Sequence, residues 1–241
     1  MPRELIFPDD VRPDFEGFGP AAFKFLRGLK RNNERAWFQA RKDIYERELR
    51  FPMECLVASF GPHDRLPVRG DPKRSVFRIH RDVRFSNDKR PYKTHIGAVL
   101  SRSGGRGDPG VVYIHIEPGG CFVGAGFYRP DPAFLTAWRQ EMVREPEAFL
   151  AIARKLARPG RRIVLEAHKS LKKLPRGFET YADSPVADYL RWKHFLVSRD
   201  VSDAEAGGKG LVKIVRDVAV AAAPLLDYGW AIYDAQPPRV R

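Results

Sequence analysis

Apolar residues recur at helical spacing toward both ends of the chain and alternate with polar ones in its middle. Pro20 suits the first turn of a helix that carries Phe23, Leu26 and Leu29 on one side. Asn32-Asn33 interrupts it, and a second helix is predicted with Trp37, Ala40, Ile44, Glu48 and Phe51 along one side. Pro52 kinks or ends that helix, with Met53–Phe60 as a shorter continuation. The Pro- and Gly-containing stretch from Gly61 to Pro72 has no apolar period and predicts a loop. Four strands follow: Val76–Phe85, His95–Ser101, Val111–Glu117 and Cys121–Tyr128. Pro118-Gly119-Gly120 joins the last two as a tight turn, and Ser103–Gly110 reads as a flexible loop.

Helical signals return after Pro130. Asp131-Pro132 caps a helix bearing Phe134, Trp138 and Met142, and Pro146 starts another with Phe149, Ile152 and Leu156. Ser184-Pro185 repeats the start signal before Val186–Leu190, and Lys193–Ser198 is a further strand. Ser202-Asp-Ala-Glu205 matches a capping box, interrupted soon after by Gly207-Gly208. Leu211, Ile214, Val215, Val218 and Ala222 then form the stripe of an amphipathic helix. No internal repeat or linker divides the chain. The expectation is one α+β domain over residues 1–241, with a central, mainly antiparallel sheet flanked by helices from both ends of the chain. Its helical N-terminal part covers about 18–60, its β core about 75–128 and its helical C-terminal part about 131–234.

The first strand changes the picture from fold to chemistry. Phe77, Ile79, Val83 and Phe85 share one face, with Arg81 as the one polar intruder; Arg78, His80, Asp82 and Arg84 share the other. Two guanidiniums, an imidazole and a carboxylate in a row suit an anionic ligand better than a solvated face. Charge agrees. The chain carries 43 Lys and Arg against 30 Asp and Glu, a formal net charge of +13. That excess is concentrated in segments 73–95, at +6, and 154–176, at +8. Such local fields attract polyanions or phosphorylated metabolites. Segment 154–176 lacks aromatic residues for stacking on bases, and solvated charges from an Arg-rich composition explain it equally well.

Other classes recede. No apolar run is long enough for a membrane span, and Met1–Phe7 lacks the core of a secretory leader. Cys55 and Cys121 stand singly among apolar residues, as free thiols do in a reducing cytoplasm. Gly-x-Ser-x-Gly and P-loop signatures are absent, and Gly124-Ala-Gly126 lacks the third glycine of a dinucleotide fingerprint.

A second set of groups faces the same way on the hairpin. Tyr113, His115 and Glu117 lie opposite Val112, Ile114 and Ile116, while Gly124 and Gly126 fall between Phe122 and Tyr128 on the returning strand. Two interior glycines predict a close approach from above, by a packed helix or by a ligand. The turn Ser86–Lys93 offers Asn87, Lys89, Tyr92 and Lys93 to a phosphate or carboxylate, which Arg78 and Arg84 would grip in bidentate fashion. Its bland alternative is a turn held by Asn and Asp side chains with its cations in solvent. His80 with Asp82, and His115 with Glu117, are candidate acid–base pairs. His80, Asp82, His95, His115 and Glu117 are also of metal-ligand type, but the surrounding cations oppose a divalent ion, so no metal is assigned and the cofactor stays open.

The run Arg78-Ile-His-Arg-Asp-Val-Arg-Phe-Ser-Asn-Asp-Lys-Arg-Pro-Tyr-Lys-Thr-His-Ile-Gly97 resembles the signature of the domain of unknown function 2461 family. Tyr113-Ile-His-Ile-Glu-Pro-Gly-Gly-Cys-Phe-Val-Gly-Ala-Gly-Phe-Tyr128 is a second matching block, and matching features run from Phe18 to Asp227-Tyr-Gly. The resemblance implies a cytoplasmic protein and brings no catalytic residue with it. Cys121 departs from the small polar residue common at that place, which argues against a thiol nucleophile. Three readings follow. In the first, Arg78, Arg84, Lys89 and Lys93 hold an anionic small molecule while His80 or His115 moves a proton. In the second, the two basic segments bind nucleic acid. The third is an interaction scaffold without catalysis. The first is preferred, because nucleic-acid binding does not call for ordered His-Asp and His-Glu alternation. Oligomeric state is left undetermined.

Overall fold

A computed structural model describes residues 12–61, 66–157, 163–166 and 170–236. Helix α1 (Pro20–Arg31) starts with its proline in the first turn and buries Phe23, Leu26 and Leu29. It ends where the Asn32 backbone and side-chain amides both donate to the Gly28 carbonyl. The predicted second helix is instead a series: α2 (Arg35–Gln39), α3 (Lys42–Tyr45), a π-helical turn over Glu46–Arg50, and α4 (Phe51–Ala58). Pro52 falls in the first turn of α4, where its missing N–H costs least, and the widened turn before it absorbs the change of path.

Five strands form one antiparallel sheet in the order β1-β2-β3-β5-β4. They are β1 (Ile96–Leu100), β2 (Val111–Ile116), β3 (Cys121–Phe127), β4 (Val164–Glu166) and β5 (Phe195–Val201). Strand β4 was not predicted; three residues give no readable period. Ala98, Val112, Ile114, Val123, Ala125 and Val197 are fully or almost fully buried on the inner face. The long helix α10 (Leu211–Asp234) packs on β2, β3 and β5, and α6 (Pro132–Arg144) and α7 (Pro146–Leu156) pack beside it. This is the expected α+β architecture. The two-period of β2 sends Tyr113 and His115 to the outer face, where both are half-buried.

The capping box at Ser202 forms as predicted, opening α9 (Asp203–Ala206). Asp131 caps α6 by accepting from the Ala133 and Phe134 amides. Among the described residues no helix is long and apolar enough to cross a membrane.

The predicted strand Val76–Phe85 does not form. Pro72–Ser75 is a short helix, α5, and Val76 and His80 make only isolated bridges, to Ala98 and Tyr92. The reason is local. Asp82 accepts from the Arg84 amide, Ser86 from the Asp88 amide and Asp88 from the Arg90 amide, so three successive side-chain turns compete with a ladder. Phe85, expected in the core, is 96% exposed at the tip. What regularity remains closes the outer edge of β1: Arg69 pairs with Ser101, Val76 with Ala98, and the Phe77 amide donates to the Gly97 carbonyl at 2.9 Å.

One of the two interior glycines of β3, Gly126, is explained without a ligand. Gly126 has φ +129°, and a Cβ there would lie 2.1 Å from the Phe195 carbonyl oxygen of β5, so the approach is made by a neighbouring strand. At Gly124 a Cβ would meet only ordinary contacts.

Candidate functional site

Register builds the site. His115 pairs across β1 with Gly97 and across β3 with Phe122, and its imidazole stacks on the Phe122 ring at 4.8 Å between centroids. His95, just before β1, lays its ring 4.2 Å from that of His115. Glu117, just after β2, completes the group: ligand-type atoms of His95, His115 and Glu117 all lie within 4.8 Å of one another. The Oη of Tyr113 is 3.1 Å from Nδ1 of His115, and Nε2 of that ring is 3.4 Å from Oε2 of Glu117. An ionised carboxylate only accepts, so here Nε2–H donates to Glu117 and the tyrosine hydroxyl donates to Nδ1. Oε1 of Glu117 accepts from the Thr94 hydroxyl at 3.0 Å and faces the Lys30 ammonium at 3.6 Å. A cavity of about 290 Å³ opens beside the carboxylate, lined by Leu26, Lys30, Thr94, Glu117, Gly119 and Asp203 among others.

Burial sets the protonation states. It pushes the His95 imidazole down to about 4, helped by the nearby His115 and Lys93. It lowers His115 as well, against the opposing pull of Glu117. Burial by itself would raise the Glu117 carboxyl; hydrogen bonds from His115 and Thr94 outweigh it and hold the group below its ordinary value. Tyr113 is pushed up to about 12 by burial and the Glu117 charge. At neutral pH the cluster therefore contains two neutral imidazoles, a phenol and a carboxylate.

A cationic group adjoins it through Phe77, whose ring meets that of Tyr113 edge-on at 6.0 Å. The Lys93 ammonium sits 5.1 Å from the Phe77 ring centre and the Arg106 guanidinium 5.9 Å. Burial lowers the Lys93 pKa, and repulsion from Arg78 and Arg106 lowers it further. Among the described residues none of these three cations has a carboxylate within ion-pair distance. Arg106 donates to the Val76 carbonyl, which fixes its position without neutralising it.

The remaining candidates lie elsewhere. Arg84 is chelated by Asp82 through two side-chain bonds, so Asp82 faces an arginine rather than His80. Asp88 chelates Arg90 in the same way and accepts one further bond from Arg81. The Lys89 ammonium donates to the Val83 carbonyl, and Asn87 is exposed on the loop. The predicted phosphate-cradling turn is thus largely tied up in its own bonds. His80 is exposed and packs on Tyr92, which is buried in a stack with Phe38. Tyr128 stacks on His194 at the opposite end of β3 from Phe122. The Cys121 thiol is buried and donates to the Glu117 carbonyl, and burial pushes it up to about 11. Within segment 154–176, residues 158–162 and 167–169 lie outside those described.

Lys30, Phe77, Thr94, Arg106 and Phe122 join the site without having been proposed for it. Thr94 and Phe77 carried a signal, since they stand within or beside the unusual run 78–97. Lys30 reads as one more cation in a helix's last turn, and Arg106 lies in an aperiodic glycine-rich loop.

The resemblance read from the two sequence blocks is borne out over most of the chain. The model of the family described as conserved hypothetical protein (DUF2461) matches residues 21–228, and the chain belongs to that family. No curated protein and no solved structure matches it.

Proposed function

We propose that the protein binds a small molecule bearing a phosphate or carboxylate on the outer sheet face, and acts on it by proton transfer. The observation that carries this reading is the trio Arg78, Lys93 and Arg106, none in an ion pair among the described residues, beside Phe77 and the Tyr113–His115–Glu117 chain. Lys93 is repelled by both arginines, and Asp82 acts on Arg78 only from beyond ion-pair distance, so a bound anion would relieve a real cost. The Phe77 ring offers an apolar wall, and His115, oriented by Tyr113 and Glu117, is placed to give or take a proton. Two free, buried cysteines accord with a cytoplasmic setting.

Calorimetric titration with inorganic phosphate and with a panel of phosphorylated and carboxylated metabolites tests the reading. Lys93→Ala and Arg78→Ala should each weaken the best anion roughly tenfold or more, the range for a lost charged hydrogen bond. Arg84→Ala should leave it unchanged, because Arg84 already has Asp82. Equal losses in all three, or no anion bound by the parent, would overturn the proposal.

One observation favours nucleic acid as a second reading: Phe85 stands in solvent with the Arg84 guanidinium 5.8 Å from its ring centre. An exposed aromatic among cations is what stacking on single strands uses. That reading expects a single-stranded oligonucleotide to bind at low salt, to weaken steeply with added salt, and to weaken again in Phe85→Ala. No binding at low salt would remove it.

A further inference from the structure

We infer that His95, His115 and Glu117 form a site for one divalent first-row transition-metal ion, with zinc as the probe. Two imidazoles and one carboxylate are a donor set that such ions accept, with further positions left for water or substrate. The geometry is close to what is required. Nε2 of His115 and Oε2 of Glu117 are 3.4 Å apart, and zinc bonds of about 2.0–2.1 Å place tetrahedral ligands roughly 3.3 Å from one another. All three donor atoms fit within 4.8 Å, so His95 needs only a small side-chain rotation to close the triangle.

The surroundings separate this cluster from a chance gathering. Each of two ligands has its second atom already engaged. Nδ1 of His115 has the Tyr113 hydroxyl at 3.1 Å, which becomes the acceptor once the ring switches tautomer and turns its Nε2 lone pair to the ion. Oε1 of Glu117 takes the Thr94 hydroxyl and the Lys30 ammonium, which leaves Oε2 for the ion. Phe122 fixes the plane of His115 by stacking. His95 has no hydrogen-bond partner among the described residues, so a nitrogen is available. Two cations oppose the ion: Lys30, 3.6 Å from Glu117, is largely exposed and can swing into solvent, and Lys93 acts on His95 without pairing with any of the three ligands. The donor set does not depend on the proposed anion binding; with the ion bound, His115 serves as a ligand and no longer as the proton-transfer group of that reading.

Zinc titration of the metal-stripped full chain should give one site of micromolar affinity or tighter. His95→Ala, His115→Ala and Glu117→Gln should each weaken it at least a hundredfold, while His80→Ala leaves it intact. Tyr113→Phe should weaken it roughly 10- to 100-fold by removing the second-atom partner of His115. Cobalt binding, followed by visible absorption, should respond to the same variants. Glu117→Gln and Tyr113→Phe preserve shape, so they decide the matter if an alanine variant fails to fold. Absence of a single site, or a site retained in His95→Ala and Glu117→Gln, would overturn the inference. Repeating the phosphate titration with and without zinc separates the two proposals. Zinc binding without phosphate binding leaves the metal site standing and ends the anion reading, and the converse result does the opposite.

Discussion

At the scale of single residues, His95 is a histidine strongly altered by folding. Its pKa falls from an ordinary 6.5 to about 4 because burial removes water from the charged form and Lys93 and His115 add repulsion. The sign follows from linkage. Between these values the unfolded chain binds the proton and the native chain does not, so native stability declines as pH falls from about 6.5 toward 4, then levels off. After allowance for its partial exposure the loss is on the order of 2 kcal/mol. His95→Gln should flatten that slope in urea unfolding measured at pH 7 and pH 4.5, and an NMR titration of the metal-free chain should place the His95 midpoint far below that of a free imidazole. An identical slope in the variant would mean that another group carries it. None of this is readable from sequence, since a histidine after Lys93-Thr94 looks the same whether its ring is solvated or stacked.

At the scale of elements, β2 and β3 were legible because Ile114 and Val123 alternate with less buried neighbours, and β1 because Ile96–Leu100 is a short uninterrupted apolar run. The pairing of His115 with Glu117 on one face followed from that period alone. Segment 76–85 shows the same alternation and is not a strand. Alternation reports only where apolar groups fall; it does not register that Asp82, Ser86 and Asp88 each capture an amide two residues on. The error moved the anion site, because Arg84 was assigned to a ligand when Asp82 already holds it. The glycines of β3 misled in another way: a close approach from above was expected at both, but Gly124 has none and the neighbour of Gly126 is the Phe195 carbonyl of the adjacent strand. Gly126→Ala should therefore damage the β3–β5 seam, through both its φ of +129° and the 2.1 Å clash. A loss of about 3 kcal/mol or more is expected in denaturant unfolding, with zinc affinity of the folded fraction little changed. A loss below about 0.5 kcal/mol would show that the seam tolerates a side chain.

At the scale of the whole molecule, helices from both ends of the chain and three strands from its middle were foreseeable, since each part keeps its own period; that the C-terminal part, expected to be mainly helical, also supplies β4 and β5 to the same sheet was not. Convergence was not. His95, His115 and Glu117 meet only because β1 and β2 pair with Gly97 opposite His115, and Arg106 arrives from a loop with no period at all. The outer side of β1 carries a further consequence. Arg69, Val76 and Phe77 occupy its free backbone groups, so the stretch that carries Phe77 and Arg78 of the proposed site also shields the sheet from foreign strands. Peeling it away would bare a row of unmatched amides and invite polymerisation, so binding and solubility would be lost together. The segment that protects the edge thereby also guards the proposed binding face.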